Sequence, residues 1–122
     1  MEYRPVGQRP RLFIVDVDGT IFKQRWPLIH ESSEPLPGVV NKLHQWYTDG
    51  DHIMLVTARP EIYRQMTEAQ LLRADIFYHT LIMGLPTGQR ILVNDGKPQE
   101  SDVPMAVAVN LIRDEGFGGI DL

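Results

Sequence analysis

Residues Leu12 to Thr20 read LFIVDVDGT, an apolar run that delivers two aspartates, Asp16 and Asp18, into a Gly-Thr turn. A short, continuous apolar run that ends in turn residues is the pattern of a strand buried inside a sheet. Burying two carboxylates side by side at the end of such a strand is costly unless a cation or a reaction justifies it. Residues separated by one other residue point the same way on a regular strand, and the turn at Gly19 then re-aims the second carboxylate. The pattern suggests a metal-assisted nucleophilic carboxylate with a second carboxylate as proton donor. The bland reading of an Asp-x-Asp alone is a turn closed by aspartate side chains.

The rest of the chain repeats the same punctuation. Pro37 and Gly38 open a helix in which Val39, Val40, Leu43, Trp46 and Tyr47 form one apolar stripe, stopped at Asp49-Gly50. His52 to Thr57, HIMLVT, is a second buried strand ending in a small polar residue. Pro60 begins a second helix, with Ile62, Met66, Ala69 and Leu72 or Arg73 at helical spacing up to about Ala74. Ile76 to Met83 is a third strand, Arg90 to Asn94 a fourth that ends in Asp95-Gly96, and Ala106 to Val109 a fifth. Phe22 to Pro37 is an irregular loop, and Met1 to Pro10 a loose lead-in. Strands alternating with helices predict an α/β fold with a mainly parallel sheet of about five strands. Ligands bind such sheets outside the carboxyl ends of the strands. Asp16 and Asp18, Thr57, and Asn94 with Asp95 should therefore meet at one edge.

A chain of 122 residues fits one domain, spanning residues 1–122. The net charge of -4 argues against a dedicated nucleic-acid binder, which carries a basic face. There are no cysteines, which removes disulfides, thiolate nucleophiles and zinc-thiolate sites and suits a reducing cytoplasm. The leading MEYRPVGQRPR lacks the apolar core of a signal peptide, and no run approaches a membrane span. The expectation is a cytoplasmic domain without a membrane partner. His30, His44, His52 and His79 show no metal-ligand spacing.

Taken together, DVDGT, then VTAR (Val56 to Arg59), then VND (Val93 to Asp95) resemble motifs I, II and IV of the haloacid dehalogenase superfamily, over Leu12 to about Val109. The resemblance implies a three-layer, Rossmann-like sandwich. It makes Asp16 the nucleophile that forms an aspartyl-phosphate, and Asp18 the general acid-base whose carbonyl also binds the metal. Thr57 would hold the transferring phosphoryl group, with Gly19, Ala58 and Arg59 also binding phosphate. Asp16, Asp18, Asn94 and Asp95 would hold magnesium. A carboxylate at the second position implies phosphatase or phosphomutase chemistry rather than that of the superfamily's pumping ATPases. Physical chemistry agrees: a magnesium ion bridging carboxylate and phosphate removes their repulsion and orients in-line attack. The ion takes hard oxygen ligands, and two nearby carboxylates divide into acid-like and base-like roles.

The superfamily also places a lysine or arginine before motif IV. Between Thr57 and Asn94 the chain has only Arg59, Arg64, Arg73 and Arg90, so Lys97 is the chosen catalytic and phosphate-binding cation, with Arg59 and Arg90 behind it. A further acid is either Glu100 or Asp102. The intervals around the motifs are too short for a cap domain. Capless members take protruding substrates or borrow a neighbouring subunit as lid, so a homo-oligomer is a natural partner arrangement. The pocket rims would be Gly84 to Arg90, GLPTGQR, and the loop around Trp26 and His30. GLPTGQRILVNDGKP is also similar to small superfamily hydrolases associated with capsule and surface-polysaccharide synthesis, a lean towards sugar phosphates. The function implied is a magnesium-dependent phosphatase of a small-molecule phosphate ester. The alternatives are a polynucleotide-end phosphatase, which the acidic charge disfavours, and a catalytically weak or regulatory module of the same fold.

Overall fold

The structure is a computed structural model that describes residues 4–24, 34–97 and 103–122. Strands and helices alternate as β1 (Leu12–Asp16), α1 (Val39–Thr48), β2 (His52–Val56), α2 (Arg64–Arg73) and β3 (Thr80–Ile82). The strands are parallel, in the order β1-β2-β3, with Phe13 opposite Ile53 and Leu55 opposite Leu81. Strand-helix-strand connections are right-handed, so two that advance the sheet in one direction put both helices on one face. The core agrees with that rule. Val15, Ile53, Leu55 and Leu81 of one sheet face share a single buried cluster with Val39, Leu43 and Trp46 of α1 and Leu71 of α2. Phe13 stacks flat on Trp46 at 3.9 Å between ring centroids. Each fully buried side chain of this kind contributes about 1.5–3 kcal/mol.

The opposite face is largely open among the described residues: Leu12 is 55 % exposed, Ile14 52 % and Ile82 37 %, although Val56 on the same face is buried. The described architecture is thus a helix layer on a three-stranded sheet, short of the three layers and five strands expected. Ile91, Leu92 and Val93 are exposed, and neither Arg90–Asn94 nor 106–109 forms a strand. An apolar run has strand character only with a partner ladder for its backbone, and no partner for β1 other than β2 exists among the described residues. The third strand is shorter than expected because the chain leaving α2 first closes the helix: the Ile76 amide donates to Leu71 and Asp75 takes a positive φ of 57°.

The first helix matches its stripe except at its end. Val39, Leu43 and Trp46 are buried, but Tyr47 is exposed and stacks on His79 at 4.7 Å. The second helix is rotated relative to expectation. Pro60 leads into a 3-10 turn at Glu61–Tyr63 before α2 starts, and the buried face is Thr67, Gln70 and Leu71. Ile62 and Leu72, placed on the apolar stripe by spacing, are exposed. The C-terminal segment is anchored: Phe117 is buried and its amide donates to the Pro37 carbonyl at 2.9 Å. Gly116 has φ +84° and lies against Pro37 where no Cβ fits. No helix among the described residues is long and apolar enough to cross a membrane.

Candidate active site

At the carboxyl end of β1 the chain turns sharply, and its apolar residues pin the turn. Val17, Ile21 and Phe22 have no solvent exposure. The Val17 carbonyl accepts from the amides of Ile21 at 2.8 Å and Phe22 at 3.2 Å, while the Gly19 amide donates back to Phe22 at 2.6 Å. Gly19 has φ +83°, a left-handed conformation open to glycine, and the Arg113 stem lies 3.2 Å from where a Cβ would stand. The Asp114 amide donates to the Gly19 carbonyl at 2.9 Å. Strand, turn and C-terminal segment together hold Asp18 in place.

Both oxygens of Asp18 face one arginine. Arg59 Nε donates to Oδ2 at 2.9 Å and Nη2 donates to Oδ1 at 2.8 Å. The Arg59 side chain is 3 % exposed and that of Asp18 15 %. On its other side Arg59 Nη1 donates to Thr67 Oγ1 at 3.0 Å and to Gln70 Oε1 at 2.7 Å. Thr57, at the end of β2, accepts from the Arg59 amide at 3.1 Å, and its hydroxyl points at Asp18 Oδ2 from 3.5 Å. Strand pairing continues past β2 to hold this corner, since the Thr57 amide donates to Ile82 and the Gly84 amide to Arg59.

Asp16 faces a different cation. Arg90 Nη2 lies 3.5 Å from Asp16 Oδ1, with both side chains about half exposed. Arg90 Nη1 donates to the Pro86 carbonyl at 2.9 Å, which ties the cation to the expected rim loop. Burial pushes the Asp16 carboxyl above the usual aspartate value, opposed by Arg90 and by the Val17 amide and reinforced by the charge of Asp18.

Asp16, Asp18, Thr57 and Arg59 therefore cluster with Arg90, while the remaining expected site residues do not join them. Asp95 accepts from the Lys97 amide at 3.1 Å, and Lys97 Nζ sits 3.6 Å from the same carboxylate. Lys97 is thus paired within its own turn, and no contact links it to Asp16 or Asp18 among the described residues. Asn94 Nδ2 donates to the Met105 carbonyl at 3.2 Å. Ala58 and Gly19 line the two turns of the cluster. Trp26, His30, Glu100 and Asp102 lie outside the described residues. Magnesium takes an octahedron of oxygens, but Asp18 is taken up by Arg59, and Asn94 and Asp95 are engaged elsewhere. No group of three or more acidic or histidine side chains among the described residues is placed to hold a metal. The donor set as arranged does not fit the ion.

Two features escaped the sequence. Arg90 ranked behind Lys97, because distance along the chain from Asp95 says nothing about which cation folds back to β1. Thr67 and Gln70 lie off the apolar stripe of Ile62, Met66, Ala69 and Leu72 or Arg73 and carried no signal, since polar residues mark solvent unless a buried charge needs them.

No protein-family model matches the sequence, and no curated protein matches it at a significant level. Among solved structures, an MCSG target protein from Vibrio cholerae is similar at TM-score 0.53 with 17 % identity, over 76 % of this chain and 89 % of that one. At that identity the likeness shows the fold alone. A D,D-heptose 1,7-bisphosphate phosphatase from B. bronchiseptica, complexed with magnesium and phosphate, is similar at TM-score 0.47 and 14 % identity, over 74 % of this chain and 59 % of that one. A likeness at that level carries no argument about the site.

Proposed function

We propose that this sheet edge is the active centre of a phosphate monoester hydrolase, with Asp16 as nucleophile and Asp18 as the group that passes protons. The observation that carries the reading is a pair of carboxylates from one strand end, each facing its own arginine: Arg90 on Asp16 and Arg59 on Asp18. A carboxylate and a phosphate repel each other, and a guanidinium between them lowers that repulsion while offering a fork that matches phosphate oxygens. Arg90 is half exposed and tied to the rim loop through Nη1, while its Nη2 is held only loosely by Asp16 at 3.5 Å and can make that contact. It replaces Lys97 as the proposed cation.

Asp18 enters the step as the carboxylic acid, its proton on an oxygen lone pair that the Arg59 fork leaves unused. An Asp16 oxygen attacks phosphorus, the bond to the ester oxygen breaks, and Asp18 gives that proton to the leaving alcohol. Asp18 then accepts a proton from water as the water oxygen attacks phosphorus, and the bond from phosphorus to Asp16 breaks to release phosphate. Thr57 and the backbone amide of Ala58 are assigned to the phosphoryl oxygens; the Gly19 amide, expected to share that role, is committed to the Phe22 carbonyl. The order of the three motifs supports placing the chain in the haloacid dehalogenase superfamily. The exposure of Asp16 suits small esters that enter from solvent, with sugar phosphates as the proposed class.

The test is phosphate release from an aryl phosphate, a set of sugar phosphates and terminally phosphorylated oligonucleotides, each with and without magnesium. Release from sugar phosphates, reduced about tenfold or more in Arg90→Ala, is the expected result. Preference for oligonucleotides would move the substrate class, and no release from any ester would overturn the reading.

A further inference from the structure

We infer that Arg59 is a positioning residue that fixes the orientation of Asp18, and that Thr67 and Gln70 hold it in that role; the inference rests on Asp18 as the proton-passing group. A guanidinium carries five N–H donors and no acceptor. Four hydrogen bonds leave the Arg59 guanidinium, two to Asp18 and one each to Thr67 and Gln70. With its side chain 3 % exposed, it has no open face for a phosphate arriving from solvent. The phosphate-binding role expected of it passes to residues that do have one.

A buried charge is tolerated when its partners are complete, and here the partners come from two places. One is the turn after β1. The other is α2, where Thr67 is fully buried and Gln70 3 % exposed, on a face whose natural occupants are apolar. Two buried polar side chains on that face are explained by the guanidinium they receive. A paired fork locks the plane of a carboxylate, which a single hydrogen bond leaves free to rotate. Proton transfer needs the donor within hydrogen-bond reach of the leaving oxygen, and small misplacements are expensive in rate. The rotation of Asp18 is therefore set from α2 through Arg59.

Positioning, phosphate binding and mere structural support separate by leaving group. An alkyl phosphate needs its leaving oxygen protonated, whereas a nitrophenyl phosphate departs as a stable phenolate. Arg59→Lys keeps the charge and removes the fork. Its kcat/KM should fall about a hundredfold for the alkyl ester and less than about tenfold for the nitrophenyl ester. The inhibition constant of inorganic phosphate should stay within about twofold of wild type, a bound set by the unchanged charge. Thr67→Val and Gln70→Met touch neither Asp18 nor substrate and should show the same leaving-group dependence, more weakly. They carry the test if thermal melting shows that Arg59→Lys does not fold. Equal losses on both esters, no loss on either, or a weakened inorganic phosphate would overturn the inference while leaving the hydrolase reading intact. A folded wild-type protein that hydrolyses neither ester fails before any variant is made, and takes both readings with it.

Discussion

Asp16 and Asp18 are two positions apart on the chain, yet their surroundings differ in kind. Asp18 is closed in by a buried fork, and Asp16 is partly desolvated with a single loose cation at 3.5 Å. A carboxyl whose value is raised in the folded state holds its proton more tightly there than in the unfolded chain. Its contribution to stability is present below the ordinary aspartate value and is lost as pH rises through the raised one. Asp16→Asn removes that titration. In metal-free buffer at neutral pH the variant should melt higher than wild type by about 1–3 °C, a small gain because the side chain is half exposed. The gain should close as pH falls below about 3.9, the ordinary aspartate value. Melting curves across pH check it; a variant less stable than wild type at neutral pH would contradict the account of Asp16.

Between elements, the sheet is two-sided in a way its strands do not announce. Ile14 and Leu55 are both aliphatic residues in short parallel strands, but Leu55 faces both helices with no exposure and Ile14 faces solvent. Leu55→Ala should cost about 2–5 kcal/mol in denaturant unfolding, and Ile14→Lys less than about 0.5 kcal/mol. A large loss from Ile14→Lys would show that this face is covered. Continuous apolar strands made a sheet buried on both faces the natural reading of the sequence. The first two strands and α1 were legible because their apolar runs and the glycines at positions 38 and 50, both at positive φ, act locally. The register of α2 was not. Its buried face is decided by Arg59, whose partners Thr67 and Gln70 stand eight and eleven residues further along the chain.

Over the whole molecule, the clustering of candidate residues was legible where they sit at the ends of paired strands and illegible where they depend on loops. Asp16, Asp18 and Thr57 are brought together by the parallel register of β1 and β2. Asn94, Asp95 and Lys97 were placed by analogy with a fourth strand, and that segment forms no ladder and makes contacts of its own. The cation beside Asp16 comes instead from the loop before it, a choice made by the path of the chain in space. The central claim, that this edge transfers a phosphoryl group through Asp16, is open to direct observation. The protein is mixed with excess nitrophenyl phosphate, quenched in acid during turnover, digested and analysed by mass spectrometry. The account predicts a phosphoryl group on the peptide carrying Asp16, absent from Asp16→Asn together with turnover. Phosphate release with that peptide unmodified, and at the wild-type rate in Asp16→Asn, would contradict it.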